Sequence, residues 1–177
     1  KIGRRIELDD AYLGGKLKGG KAGRGSENKQ PFIAAVETTF EDHIPLRAKI
    51  DPVEGFTRTE VDKWLGEHVE AGSHIVSDGL DCFKAVEATC SHEVHISSRL
   101  SDQEKEVHFK WVNTILSNLK TSLSGTFHSI ECHKYCLRYL GAFVYRFNRR
   151  QDLTAIFYDL CSTAINSPPL TAASLKV

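Results

Sequence analysis

Three short apolar segments fill most of the first fifty residues with no helical period among them, and this limits the folds open to the chain. RRIELDDAYL (4–13), PFIAAVETTF (31–40) and HIPLRAKID (43–51) each carry β-branched or aromatic residues over strand length. Gly14-Gly15 ends the first, and Glu41-Asp42 supplies the turn between the second and third. Strands that follow one another through loops predict an antiparallel meander. The stretch GGKLKGGKAGRGSENKQ between the first two is Gly- and Lys-rich without apolar periodicity, and predicts a long basic loop.

The pattern then changes to alternation. Thr57 or Thr59 can cap a helix running to about Val69, with Val61, Trp64, Leu65 and His68 on one side. SHIVSD (73–78) predicts a short buried strand that ends in an acid, LDCFKAVEA (80–88) a short helix, and SHEVHIS (91–97) a further strand. A long helix over 105–123 follows, broken at Ser124-Gly125. IECHKYCLRYLGAFVYRFNRR (130–150) is an amphipathic helix, LTAIFYDLCSTAI (153–165) a last one, and SPPLTAASLKV a polar tail. The order βββ-α-β-α-β-α-α predicts an α/β fold, a mixed sheet with helices packed on it. At 177 residues the chain fits one principal domain, residues 1–150, with a C-terminal helix and tail over 151–177.

Several function classes fall away on composition. No apolar run is long enough to span a bilayer, and KIGRRIELDD lacks the apolar core of a signal peptide. Five cysteines without a CxxC pair argue against a disulfide framework and for a reducing cytoplasm. No P-loop or nucleophile elbow occurs, so no nucleotide cofactor is expected. The chain holds no Met and opens on Lys1, which predicts a piece of a longer protein. Formal net charge is zero, but its distribution is uneven. Residues 1–29 hold eight Lys/Arg against four Asp/Glu, residues 110–150 seven against one, and the middle seven against sixteen. Two basic flanks of this kind can form a positive face suited to a phosphate backbone, unless the fold mixes them with the acidic middle.

Two carboxylates and an amide stand where chemistry is expected. Asp9 lies in the first strand and Asp78 at the end of the fourth, just before Gly79. In open α/β sheets ligands bind at strand ends. In VHFKWVNTILSNLK, Asn113 and Lys120 are seven residues apart, offset by only about 20° around a helix. The apolar stripe of Phe109, Val112, Leu116, Leu119 and Leu123 is centred roughly 80° away, so the pair borders the buried face. If the first and fourth strands are neighbours, Asp9, Asp78 and Asn113 form a hard oxygen set suited to Mg²⁺ or Mn²⁺, with Lys120 beside it to hold a phosphate. Taken singly, each has an ordinary alternative as turn chemistry or a solvated edge.

Asp9, Asp78, Asn113 and Lys120 together have the order and spacing of a DDE-superfamily transposase: thirty-four residues lie between Asp78 and Asn113, and Lys120 follows seven later. ELDDAYLGGK, GRGSENK, VSDG, WVNTILSNLK, GTFHSI and RYLGAFVYRFNRR resemble the group of bacterial insertion-sequence transposases in which the third acid is often Asn. That resemblance covers residue 6 to about 150 and implies a ribonuclease-H-like catalytic domain with five strands in the order 3-2-1-4-5. It implies Asp9, Asp78 and Asn113 as metal ligands and catalytic residues, with Asp10 outside the metal site, and Lys120 on the DNA backbone. It also implies Mg²⁺ or Mn²⁺, two ions once DNA is bound, and a homodimer or higher oligomer on double-stranded transposon ends and target. The activity implied is phosphodiester hydrolysis and strand transfer by a cytoplasmic, nucleoid-associated enzyme. A ribonuclease-H-like nuclease or resolvase, or a silent remnant that only binds DNA or a partner, are the alternatives.

The remaining basic residues have two readings each. Lys16, Lys18, Lys21, Arg24 and Lys29 form either a solvated loop or a DNA contact, and the latter is preferred. Arg146, Arg149 and Arg150 either complement a helix C-terminus or bind phosphate, and the resemblance favours DNA slightly. His128, Cys132, His133 and Cys136 have poor spacing for zinc and are expected in packing. Trp64 and Trp111 are expected in the core. His108, about 140° around a regular helix from Asn113, is expected away from the site.

Overall fold

The computed structural model describes residues 1–14, 29–126, 132–169 and 171. Strand β1 (Arg5–Leu13) pairs antiparallel with β2 (Gln30–Thr38), which pairs antiparallel with β3 (Pro45–Pro52). On its other edge β1 pairs in parallel with β4 (His74–Ser77), and β4 with β5 (Ser91–Val94). The sheet therefore runs β3-β2-β1-β4-β5, the order expected for a ribonuclease-H-like domain. Its helices are α1 (Arg58–His68), α2 (Asp102–Thr126), α3 (Cys132–Asn148) and α4 (Leu153–Asn166).

Alternation along the central strands produces two cores, one on each face. Phe32, Ala34 and Val36 of β2 point into a core closed by α2 and α3, where Val112, Ile115, Leu119 and Leu140 are buried. Ile33 and Ala35, with Ile6 and Leu8 of β1, point into a second core closed by α1 and Phe83. A sheet covered on both faces needs apolar residues at nearly every position, which IAAV in β2 supplies. Thr57 caps α1, its hydroxyl accepting from the Glu60 amide at 3.2 Å, and α1 buries Val61, Trp64 and Leu65. Trp64 is thus a core residue as expected, and Trp111 is half-buried against the first core.

The structure departs from expectation in three local places. Residues Asp81–Ala88 form a 3-10 helix, not an α-helix. This segment is the crossover between two parallel strands. Eight residues at about 2.0 Å rise cover about 16 Å, against about 12 Å for an α-helix. Helix α2 continues through Ser124-Gly125 to Thr126, because Gly125 does not take the positive φ that would cap it and the Ser124 hydroxyl donates back to the Thr121 carbonyl at 3.2 Å. The real interruption of α2 is at Phe109, whose φ −128° and ψ 17° are not helical.

That break has a cause 100 residues away. Glu7, fully buried on β1, accepts from the amides of Trp111 (2.8 Å) and Val112 (2.9 Å), the free donors at the start of the helix after the break. Arg5, two residues earlier on the same face, binds Glu7 at 2.9 Å and donates to the His108 carbonyl at 3.2 Å. One arginine closes the first piece of α2, and one glutamate opens the second. The C-terminal end of α3 is pinned similarly. The Asn148 amide oxygen accepts from Ala48 N at 2.7 Å, its nitrogen donates to Ala48 O at 3.0 Å, and Arg150 donates to the carbonyls of Pro45 and Leu46 on β3.

Candidate active site

The parallel pairing of β1 with β4 ends at Leu8 and Ser77, so the next residues on each strand, Asp9 and Asp78, emerge side by side. Oxygens of Asp9, Asp10 and Asp78 lie within 4.8 Å of one another. The resemblance sets Asp10 outside the metal site; in the structure its carboxylate lies beside the other two, where β1 runs past the end of β4 and leaves that edge open beyond Leu8. The Asp10 amide also donates to Asp9 Oδ1 at 2.8 Å, drawing the first carboxylate toward the second residue.

The sequence Ser77-Asp78-Gly79 holds its acid rigidly. Asp78 Oδ1 accepts from the Leu80 amide at 3.2 Å, an Asx turn, and Gly79 adopts φ +84°. A Cβ at Gly79 would stand 2.7 Å from Val94 Cγ1, so both the backbone angle and the packing require glycine. Ser77 is itself fixed by a 2.8 Å bond between its hydroxyl and His92 Nε2.

Crowding of acids shows in Asp9. Burial, then the charges of Asp78 and Asp10, push its pKa from the ordinary 3.8 up to about 7, while the Asp10 amide and the Lys120 ammonium pull it part of the way back. Lys120 on α2 is therefore close enough to Asp9 to act on it, as its place on the helix predicts. Asn113 is exposed and directly follows the two amides that Glu7 grips. Glu7 and Asp9 share a face of β1 about 7 Å apart, and Val112 to Lys120 spans about 12 Å of helix, so Asn113 lies in the stretch of α2 that passes this edge.

Because the folded protein holds the Asp9 proton that the unfolded chain releases above pH 3.8, this group favours the fold fully at pH below 3.8. That contribution is lost as pH rises through about 7. Chelator-treated protein is expected to lose roughly 2–3 kcal/mol of stability to urea between pH 5 and 8 from this group. Asp9→Asn should flatten the dependence, and millimolar Mn²⁺ should do the same in the wild type. An unchanged slope in Asp9→Asn would assign the effect to other groups.

The three carboxylates are hard oxygen donors and fit Mg²⁺ or Mn²⁺. A pKa raised by burial and by neighbouring carboxylates is a pattern found at functional sites.

The other expected residues are distributed more widely. Lys16, Lys18, Lys21 and Arg24 lie outside the described residues, and Lys29 stands 6.0 Å from the Tyr12 ring. Lys29 and Tyr12 line a cleft of about 540 Å³ with Phe56, Arg58 and Leu80. Arg149 pairs with Asp159 at 2.6 Å and Arg150 with backbone carbonyls, so both are engaged within the fold, while Arg146 touches the Ser122 hydroxyl at 3.5 Å. His128 and the side chains of Cys132 and His133 lie outside the described parts, and Cys136 is buried in the first core. His108 sits apart from the three acids, as expected, but in a cluster of its own with Glu93 and His95. Sequence reasoning missed Arg5 and Glu7. The available signal was two charged residues on alternate positions of a strand otherwise fit for full burial.

A family model described as the ISXO2-like transposase domain matches residues 2–148. Among solved structures, the chain is similar to the catalytic core domain of BIV integrase, with 13% identity, 92% of this chain and 99% of that chain covered, and a TM-score of 0.49. No curated protein matches it.

Proposed function

The chain belongs to the ISXO2-like transposase domain family, and on that footing we propose that it cuts the phosphodiester backbone at insertion-sequence ends and joins the freed 3′-OH to target DNA. The observation that carries this reading is the meeting of the Asp9, Asp10 and Asp78 carboxylates within 4.8 Å at the ends of adjacent parallel strands. In both steps an oxygen, of water or of a 3′-OH, bonds to phosphorus as the opposite P–O bond breaks. No covalent link to the protein is needed. Asp9, Asp78 and Asn113 would hold Mg²⁺ or Mn²⁺, two ions when DNA is bound, which would supply the positive charge that lowers the pKa of the attacking oxygen and stabilises the leaving one.

The protein's part is to hold and orient. Asp9 and Asp78 are the ligands on the sheet, and Asn113 adds a neutral oxygen from α2. With Asn in place of a third acid the set would carry two negative charges, and Asp10 restores the third. Lys120, exposed and acting on Asp9, holds a phosphate of the DNA strand beside the carboxylates. The basic residues Lys16, Lys18, Lys21, Arg24 and Lys29, which follow β1 in the sequence, are further contacts to the phosphate backbone on this reading, with Arg146 on α3. Double-stranded DNA is the partner on this reading, and a homodimer or higher oligomer the working form, acting on the bacterial chromosome in the cytoplasm.

Anomalous diffraction from crystals soaked in Mn²⁺, with and without a short double-stranded oligonucleotide, tests this. The expected result is a peak bridging Asp9 and Asp78 that vanishes in Asp78→Ala. No peak even with the oligonucleotide bound would leave a DNA-binding protein without this chemistry.

A further inference from the structure

One strand beyond the acids, a chemically different cluster stands at the edge of the sheet. Glu93 of β5, His95 just after it, and His108 of α2 bring one carboxylate oxygen and two imidazole nitrogens within 4.8 Å of one another. Glu93 Oε1 is 2.5 Å from His95 Nε2 and 3.9 Å from His108 Nδ1. Both nitrogens approach the same carboxylate oxygen, while the two imidazoles stack with centroids 3.6 Å apart and planes 24° from parallel. A shared ion therefore requires one ring to turn until both lone pairs converge. From this geometry we propose that Glu93, His95 and His108 hold a divalent transition-metal ion, with Zn²⁺ the best fit, separate from the carboxylate site.

Donor chemistry sorts the two places. Borderline imidazole nitrogens with one carboxylate suit Zn²⁺, whereas the all-oxygen set at Asp9 suits Mg²⁺ or Mn²⁺. Metal–ligand bonds of about 2.0–2.1 Å in a tetrahedron put donors about 3.3 Å apart. Reaching that value needs a shift of under about 1 Å at either oxygen–nitrogen distance. The remaining structure is what a metal site uses to aim its ligands. Glu93 Oε2 is held by His74 Nε2 at 2.8 Å, and His74 Nδ1 by the Ser91 hydroxyl at 3.0 Å. On the other side, Arg5 grips the His108 carbonyl, and the His95 amide donates to Ser77 O at 2.9 Å. The side chains of His95 and His108 are 22% and 24% exposed and that of Glu93 41%, leaving room for a water or an incoming ligand in the fourth position.

The position gives the ion a consequence. His108 is the residue before the break at Phe109, and His95 follows the residues paired with β4. An ion here ties the first piece of α2 to the sheet edge, just ahead of the stretch that carries Asn113.

The test is calorimetric titration of the untagged chain with Zn²⁺ alone, and absorption spectra with Co²⁺ as its spectroscopic substitute. We expect one ion per chain in the wild type and in Asp78→Ala, at least about tenfold weaker binding in His95→Gln and in His108→Gln, and a higher thermal midpoint for the loaded wild type. Anomalous scattering at the zinc edge from wild-type crystals locates the ion without relying on variants that fold poorly. Zinc at Asp9 and Asp78, a thiolate charge-transfer band with Co²⁺, or no binding at micromolar zinc would each overturn the assignment. Mn²⁺ at Asp9 and Asp78 with no zinc at His95 would overturn it while leaving the proposed DNA chemistry standing.

Discussion

Asp78→Asn is expected to reduce Mn²⁺-dependent nicking of supercoiled DNA by at least about 10³-fold while the protein stays folded. The substitution keeps an oxygen to accept from the Leu80 amide, so the Asx turn at the end of β4 survives. It removes one of the negative charges that raise Asp9, so the fold loses little or gains slightly. What it takes away is one of the two carboxylates that meet from adjacent strands. Metal charge stabilisation in such reactions is worth several kcal/mol, and each 1.36 kcal/mol is tenfold in rate. Asp81→Asn is the matched control. Asp81 is three residues on, exposed, and paired with Arg58 at 2.9 Å and Lys84 at 2.8 Å. It should leave nicking within about twofold, since surface pairs contribute little. Nicking within tenfold of wild type in Asp78→Asn would remove that carboxylate from the chemistry.

The contrast between Asp78 and Asp81 also marks how far sequence reasoning reaches. Asp78 is legible because local signals coincide on it: a short apolar strand, an acid at its end, then a glycine. Asp9 gains meaning only from topology: the element order leaves open which strand lies beside that of Asp78, and the order 3-2-1-4-5, which the resemblance implies, is the one the β1–β4 pairing bears out. Helical period puts Lys120 only at the border of the buried face, its place beside the acids is what the resemblance implies, and the effect of its charge on Asp9 agrees with that placement. The nearness of the Asp10 carboxylate to the other two is not legible in the sequence, because alternation along a regular strand sends neighbours to opposite faces, whereas β1 is unpaired on its β4 edge at that point. The break at Phe109 is invisible locally, since Phe109 keeps its apolar place in the helical stripe. Its cause lies on β1, about a hundred residues earlier. Arg150 makes a contact of the same long-range kind, its guanidinium donating to the carbonyls of Pro45 and Leu46 on β3, about a hundred residues earlier, as well as to that of Phe147.

Glu7→Ala is expected to destabilise the protein by about 3–5 kcal/mol, more than any substitution at the acidic cluster. Glu7 is fully buried and has three partners: the Arg5 guanidinium and the amides of Trp111 and Val112. Truncation leaves Arg5, itself 5% exposed, without its carboxylate, and leaves two amides at the opened helix end with no acceptor. A buried charge that has lost its partner costs far more than the pair contributed while intact. Glu7→Gln separates the two effects. It retains an oxygen for the amides but not the charge for Arg5, so it should fall between alanine and wild type in urea unfolding. The same pair predicts a change in the geometry of α2. Without Glu7 no acceptor holds the helix open at Phe109, and the two pieces can join into one continuous helix, turning Asn113 and Lys120 relative to Asp9. The pKa of Asp9 reports on that rotation, because Lys120 lowers it. In Glu7→Ala, folded at low temperature, the Asp9 titration followed by carboxyl NMR should move above its wild-type midpoint, and in Glu7→Gln, which keeps the acceptor, it should stay near that midpoint. A Glu7→Ala variant with wild-type stability and an unmoved Asp9 midpoint would mean that packing of Val112, Ile115 and Leu119 alone sets the helix, and that the buried pair is incidental to the site.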